Sequence, residues 1–253
     1  MNFKQTAIKA AEEAGRIQLS YFGKDIGKEK KKDDSFVTKA DIESTKAIRR
    51  VILNEFPEHN IICEELGGSN KKSDYRWIID PLDGTHNFIM GDPLFGTSIA
   101  LEYRNEVIVG VVYLPFLKRL YYAEKGKGAF CNGKQIRVSS EENPKRCLFL
   151  FDAKIRSKTE RKIRILMKLA KMTWRFRVYG VSIYHNLLVA EGKAGFNVDH
   201  GSKLWDISAA LLMVEEAGGK VTDFEGKRWT PETHDYLASN GKVHDKILEV
   251  LRK

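Results

Sequence analysis

Two short apolar runs in this sequence end abruptly in acids: Asn60-Ile61-Ile62-Cys63 runs into Glu64-Glu65, and Trp77-Ile78-Ile79 runs into Asp80, with Asp83 three residues on. Hard divalent cations such as Mg²⁺ take oxygen ligands and keep some of their waters, so a site for one needs several carboxylates on rigid elements at a solvent-accessible edge. Two neighbouring buried strands with acidic ends meet that need. Within Asp80-Pro81-Leu82-Asp83-Gly84-Thr85, Pro81 fixes its own φ and restricts Asp80, which turns the chain so that both aspartates can face one point. Gly84 lets the backbone approach an anion closely, and the amides of Gly84 and Thr85 can bind phosphate oxygens as they open the next turn. Asp-Pro and Asp-Gly are also ordinary turn dipeptides, and Glu64-Glu65 reads equally as a surface turn; the compression of the aspartates into six residues after a buried run favours the metal reading. Asp206, just after Trp205, opens a helical pattern and can cap the helix, ligate a cation, or do both.

The elements that must carry these residues follow from periodicity. Apolar residues from Phe3 to Tyr21 recur near a helical period and stop at Gly23, and Asp41 opens a second helical pattern that stops at Pro57. The polar stretch from Lys28 to Ser35 between them reads as a mobile loop. Gly96 to Tyr103, Val107 to Tyr113 and Arg119 to Ala123 form an antiparallel meander, closed by the glycines from Gly126 to Gly133. Beyond Ser139-Ser140-Glu141-Glu142-Asn143-Pro144 strands and helices alternate: Cys147 to Phe151, Lys158 to Lys171, Arg175 to Tyr179, Ser182 to Glu191, Gly195 to Val198, Asp206 to Ala217 and Lys220 to Asp223. The layout predicts an α+β half over 1–143 carrying the carboxylates and an α/β half over 144–253 that completes the site.

Composition bounds the partners. The 253 residues are 42% hydrophobic and suit one large or two modest globular units. The formal charge of +9 favours anions of any size. The basic stretch from Lys154 to Arg177 reads as the solvated face of a helix. Cys63, Cys131 and Cys147 are widely spaced, which argues against a disulfide framework or a zinc knuckle. No segment reaches membrane-spanning length, and a reducing cytoplasm is the expected compartment.

The segment Trp77-Ile78-Ile79-Asp80-Pro81-Leu82-Asp83-Gly84-Thr85-His86-Asn87-Phe88 resembles the first signature of the inositol monophosphatase family. Leu204-Trp205-Asp206-Ile207-Ser208-Ala209-Ala210, followed by Glu216-Ala217-Gly218-Gly219, resembles its second. The likeness spans essentially the whole chain, including Val37-Thr38-Lys39-Ala40-Asp41 and Gly126-Lys127-Gly128-Ala129-Phe130-Cys131-Asn132-Gly133. It implies a layered αβαβα sandwich, the sugar-phosphatase fold shared with fructose bisphosphatase, in a homodimer inhibited by lithium. By the same resemblance Glu64, Asp80 and the Leu82 carbonyl hold one Mg²⁺, Asp80, Asp83 and Asp206 a second, and a third, weaker ion lies near Glu64. Asp41 and Thr85 position the attacking water, and Glu65 supports Glu64.

The resemblance also implies a small phosphorylated metabolite as substrate, its hydroxyls read by Asp199 and Ser182, with Asp83, Gly84 and Thr85 beside the phosphate. Inositol phosphatases usually carry Glu where this chain has Asp199. Inositol 1-phosphate leads the candidates, ahead of fructose 1,6-bisphosphate, histidinol phosphate and 3′-phosphoadenosine 5′-phosphate. His185 and His200 lie near this pocket and are left out of catalysis, and Lys30 precedes it in a stretch too rich in lysine to align. The rival from another class is a regulator that binds RNA or a transcription complex through the basic stretch.

Overall fold

The computed structural model describes residues 2–25, 27–30, 36–151 and 159–252. Helices α1 (Phe3–Tyr21) and α2 (Lys39–Glu55) flank a small antiparallel pair, β1 (Lys28–Lys30) with β2 (Phe36–Thr38). The expected loop from Lys28 therefore begins as a strand. Its three residues are exposed on both faces, so no apolar alternation marks it; residues 31–35 lie outside the described residues, as do 152–158, which include the start of the basic stretch.

The first large sheet takes β3 (Asn60–Cys63), β4 (Gly67–Gly68), β5 (Tyr75–Asp83), β6 (Gly96–Tyr103), β7 (Glu106–Leu114), β8 (Arg119–Glu124), β9 (Ala129–Cys131) and β10 (Lys134–Ile136). Its order is β10-β9-β8-β7-β6-β5-β3-β4, a meander extended by β3 lying parallel to β5. A short helix, α3 (Thr85–Met90), follows β5 directly. After a 3₁₀ turn at Pro144–Arg146 come β11 (Leu148–Phe151), α4 (Thr159–Met172), β12 (Arg175–Arg177), α5 (Ser182–Ala190), β13 (Phe196–His200), α6 (Leu204–Glu216), β14 (Lys220–Asp223), β15 (Asp235–Ser239) and α7 (His244–Arg252). The second sheet runs β12-β11-β13-β15-β14.

Strand alternation sets the layers. Trp77 and Ile79 of β5 point with Ile99, Leu101, Val109 and Val111 into a cluster with Ala7, Ala11 and Ala14 of α1 and Ile48 and Ile52 of α2. Ile78 points the other way, into a cluster with Leu187 of α5, Ile207 and Leu211 of α6, and Leu150, Tyr236 and Ala238 of the second sheet. The far face of that sheet, Phe149, Phe196 and Leu237, is covered by Ile165 and Leu169 of α4 and Ile247 and Leu251 of α7. The order is α1/α2, sheet, α5/α6, sheet, α4/α7, the αβαβα sandwich. Helix α4 does not present a purely polar face to solvent: Ile163 and Met167 are exposed, while Lys162 is buried.

One close approach fixes the middle layer. A Cβ added to Gly110 of β7 would stand 2.7 Å from the carbonyl oxygen of Ala209 and 3.0 Å from its Cα. Only glycine lets α6 lie this close to the sheet, and α6 carries Asp206.

Candidate active site

The parallel register of β3 and β5 pairs Ile61 with Trp77, Ile62 with Ile78 and Cys63 with Ile79. Continued by one residue, it sets Glu64 beside Asp80, and the Glu64 amide donates to the Ile79 carbonyl at 3.3 Å. Asp80 has the parity of Ile78, which faces the α5/α6 layer. Its side chain is buried, and its carboxyl is pushed well above the usual range, first by burial and then by repulsion from Glu64, Asp83 and Asp206. The acids the sequence singled out on three separate elements therefore act on one buried carboxyl. Among the described residues, no three His, Cys, Asp or Glu side chains already stand in the arrangement of a metal cluster.

The turn after Asp80 is pinned at each step. The Asp80 Oδ1 accepts from the Leu82 amide at 2.9 Å, an Asx turn. The Pro81 carbonyl accepts from Gln18 Nε2 at 2.6 Å and from Thr97 Oγ1 at 3.0 Å. Gly84 caps α3 with φ +88°, and a Cβ there would meet Val181 Cγ2 at 2.9 Å and the Leu94 carbonyl oxygen at 3.0 Å. Glycine is required there for both conformation and space. Asp83 Oδ2 accepts from the Ile183 amide at 2.8 Å, so α5 of the second half reaches into the turn.

Asp41 lies at the third position of α2, which begins two residues before the aspartate rather than at it. Its Oδ2 accepts from the Thr38 amide at 2.7 Å and the Thr38 hydroxyl at 2.5 Å. The Thr85 hydroxyl lies 3.1 Å from Asp41 Oδ1 and 3.0 Å from the Leu82 carbonyl oxygen. A hydroxyl has one proton, so it donates to one of these at a time. Burial lifts the Asp41 carboxyl to about 6, with Glu64 adding to the rise and the bonds from Thr38 and Thr85 opposing it. Asp206 sits at the third position of α6, and its Oδ2 accepts from the Lys203 amide at 3.2 Å. It therefore closes the helix start from inside, while Lys203 occupies the capping position.

The residues expected to contact substrate lie further off along the chain. Ser182 opens α5, and its carbonyl accepts from Asn186 Nδ2 at 3.1 Å. Asp199 of β13 is buried; it accepts from Ser202 Oγ at 2.8 Å and from the Tyr236 hydroxyl at 3.5 Å. His185 is buried in α5 and accepts at Nε2 from the Tyr179 amide at 2.9 Å. His200 packs edge-on against Phe224. Lys30 is exposed on β1. Sequence reasoning missed Gln18, Thr97 and the Ile183 amide, which act across long separations. It also gave no role to Thr38, although Thr38-x-x-Asp41 has capping-box spacing.

The groups expected to hold a cation, Glu64, Asp80, Asp83, Asp206 and the Leu82 carbonyl, would offer it oxygen alone. Such a set suits a hard divalent cation, whose charge would offset the repulsion at Asp80. A family model described as "Inositol monophosphatase family" matches residues 2–253. A Thermotoga maritima protein named fructose-1,6-bisphosphatase/inositol-1-monophosphatase is 36% identical over 98% of this chain and 94% of its own. A histidinol-phosphatase of Chlorobaculum parvum is 34% identical over 98% of this chain and 95% of its own. The crystal structure of the extragenic suppressor protein suhB from Bartonella henselae superposes with a TM-score of 0.95 at 30% identity, covering 98% of each chain. An IMPase/NADP phosphatase complexed with Mg²⁺ and phosphate, 24% identical, shares the fold with a TM-score of 0.82 over 94% of this chain and 90% of its own. The match over the whole chain and the shared layers agree: the chain is a phosphatase of the inositol monophosphatase family.

Proposed function

We propose that the chain is a Mg²⁺-dependent phosphomonoesterase for a small phosphorylated metabolite, with inositol 1-phosphate as its leading substrate. The carrying observation is the register that puts Glu64 beside Asp80, with Asp83 and Asp206 acting on the same buried carboxyl. Glu64, Asp80 and the Leu82 carbonyl would hold one ion, Asp80, Asp83 and Asp206 a second, and a third would lie near Glu64. Bound there, Mg²⁺ lowers the pKa of a coordinated water and neutralises charge on the phosphoryl and leaving oxygens.

The protein's own groups do the rest. When the Thr85 hydroxyl donates to Asp41, its oxygen is left to accept from a water, which it aims at the phosphorus. Asp41, held by both Thr38 donors, keeps that hydroxyl oriented. The Gly84 and Thr85 amides face the phosphate, Glu65 supports Glu64, and no covalent phosphoenzyme is needed. Asp199 and Ser182 are assigned to the substrate's hydroxyls. Asp199 is held on one oxygen by Ser202, so its orientation is set before a polyol arrives.

A phosphate-release screen with MgCl₂ tests the proposal, using inositol 1-phosphate, fructose 1,6-bisphosphate, histidinol phosphate and 3′-phosphoadenosine 5′-phosphate, each with and without LiCl. Preference for inositol 1-phosphate and inhibition by lithium are expected. Release from none of the four refutes the reading. The regulatory reading draws on Trp174 and Phe176, exposed beside Arg175 and Arg177, a combination of aromatic and basic groups that suits single-stranded RNA. Gel shifts across ionic strength test it, and loss of binding at physiological salt dismisses it.

A further inference from the structure

We infer that Asn87 and His185 are positioning residues for Asp83: together they clamp the turn from Tyr179 to Ser182 so that the Ile183 amide meets Asp83 Oδ2 and fixes the orientation in which the carboxylate meets the cation. This rests on the assignment of Asp83 as a ligand. Asn87 lies one turn beyond Asp83 on α3. Its Nδ2 donates one proton to the Leu94 carbonyl at 3.1 Å and the other to the Tyr179 carbonyl at 2.9 Å. Leu94 precedes β6, which pairs with β5 at Asp83; Tyr179 leads into α5. One side-chain amide thus ties the turn of the first half to that of the second.

His185 holds the same turn from the other side. Its Nε2 accepts from the Tyr179 amide at 2.9 Å, so both backbone groups of Tyr179 are committed, the carbonyl to Asn87 and the N–H to His185. Because Nε2 accepts, the ring proton of the neutral imidazole resides on Nδ1. Gly180, with φ +71°, folds the chain between Tyr179 and Val181, and a Cβ there would come within 3.4 Å of Asn87 Oδ1. Val181 then packs against Gly84, within 2.9 Å of where a Cβ would stand. The next amides run into α5, and that of Ile183 reaches Asp83 Oδ2 at 2.8 Å. A carboxylate held on one oxygen by a fixed N–H has lost most of its torsional freedom, which is how outer partners orient metal ligands.

The test compares wild type with Asn87→Ala, His185→Leu and His185→Gln. Gln keeps an acceptor close to the reach of Nε2, whereas Leu removes it. MgCl₂ titrated into each protein by isothermal calorimetry reads affinity apart from turnover, and thermal unfolding in EDTA reads the fold. Asn87→Ala and His185→Leu are each expected to weaken Mg²⁺ binding by roughly 10- to 100-fold, the range for removal of an outer-shell partner. His185→Gln should recover most of the loss. Equal affinities in all four proteins, or a His185→Gln as weak as His185→Leu, overturn the clamp while leaving the phosphatase assignment intact. A wild-type protein that binds no Mg²⁺ but keeps its fold overturns the ligand assignment and the clamp with it.

Discussion

Gly110→Ala tests whether packing far from the chemistry sets the site. The added Cβ would stand 2.7 Å from the Ala209 carbonyl oxygen and 3.0 Å from its Cα. Ordinary carbon contacts begin near 3.4 Å, and the obstacle is helix backbone, so α6 must retreat by about 0.5 Å or the strand must bend. Overpacking of this kind costs about 1–3 kcal/mol. In a protein of this size each kcal/mol lowers Tm by about 2–4 °C, so a fall of about 2–12 °C is expected. The function should suffer as well. Asp206 lies one turn before Ala209 on α6, and a displacement near 1 Å in a catalytic constellation costs on the order of 100-fold. A retreat of half that distance should lower kcat by roughly tenfold. The assay pairs differential scanning fluorimetry with Mg²⁺-dependent phosphate release. Gly68→Ala, whose nearest neighbour would be 3.4 Å away, serves as control and should change neither quantity much. Wild-type Tm and turnover in Gly110→Ala would show that α6 is not held by this approach.

Asp83→Asn keeps the volume and, through its amide oxygen, can keep the bond from Ile183; phosphate release should vanish while Tm holds, and near-normal turnover would count against the ligand assignment. Asp199→Asn should redistribute kcat/KM among the four phosphate esters more than it lowers all of them, and a uniform loss would exclude a role in recognition. Removing the cation with EDTA should lower Tm relative to saturating MgCl₂, because at about 100 times Kd a ligand of the native state adds about 2.7 kcal/mol; identical melting curves would contradict a resident ion. His244 is buried between Ser239 and Thr222, and burial lowers its pKa from 6.5 to about 4. The unfolded chain therefore takes up the proton first. Stability is present in full above about pH 6.5 and declines as pH falls toward 4, by a total of about 3 kcal/mol. Urea midpoints measured from pH 8 to 4.5 should show this decline, and His244→Asn should flatten its share.

The sequence was informative where a single element carries the whole message. The run before Asp80 is buried on both faces and that before Glu64 on one, so their apolar character and sudden end are local facts, and the meander from Gly96 to Glu124 carries its own apolar runs and turns. Strand β1 is all charge and exposed, and its pairing with β2 depends on tertiary position. Strand β15 and helix α7 were missed although Ile247, Leu248 and Leu251 recur at helical spacing; that signal was present and overlooked. The holding bonds were hidden for another reason. Gln18 to Pro81 spans 63 residues and Ile183 to Asp83 spans 100, and no short window can show that such groups meet.

The middle helical layer has a consequence for assembly. Asp80 and Asp83 come from the first sheet, but Asp206 and the Ile183 amide arrive on helices shared with the second, so the proposed reaction centre is a seam between two bodies of structure. Phosphate release thus serves as a gauge of docking. During refolding, far-UV circular dichroism will recover as each sheet forms, whereas hydrolysis can return only after the seam has closed.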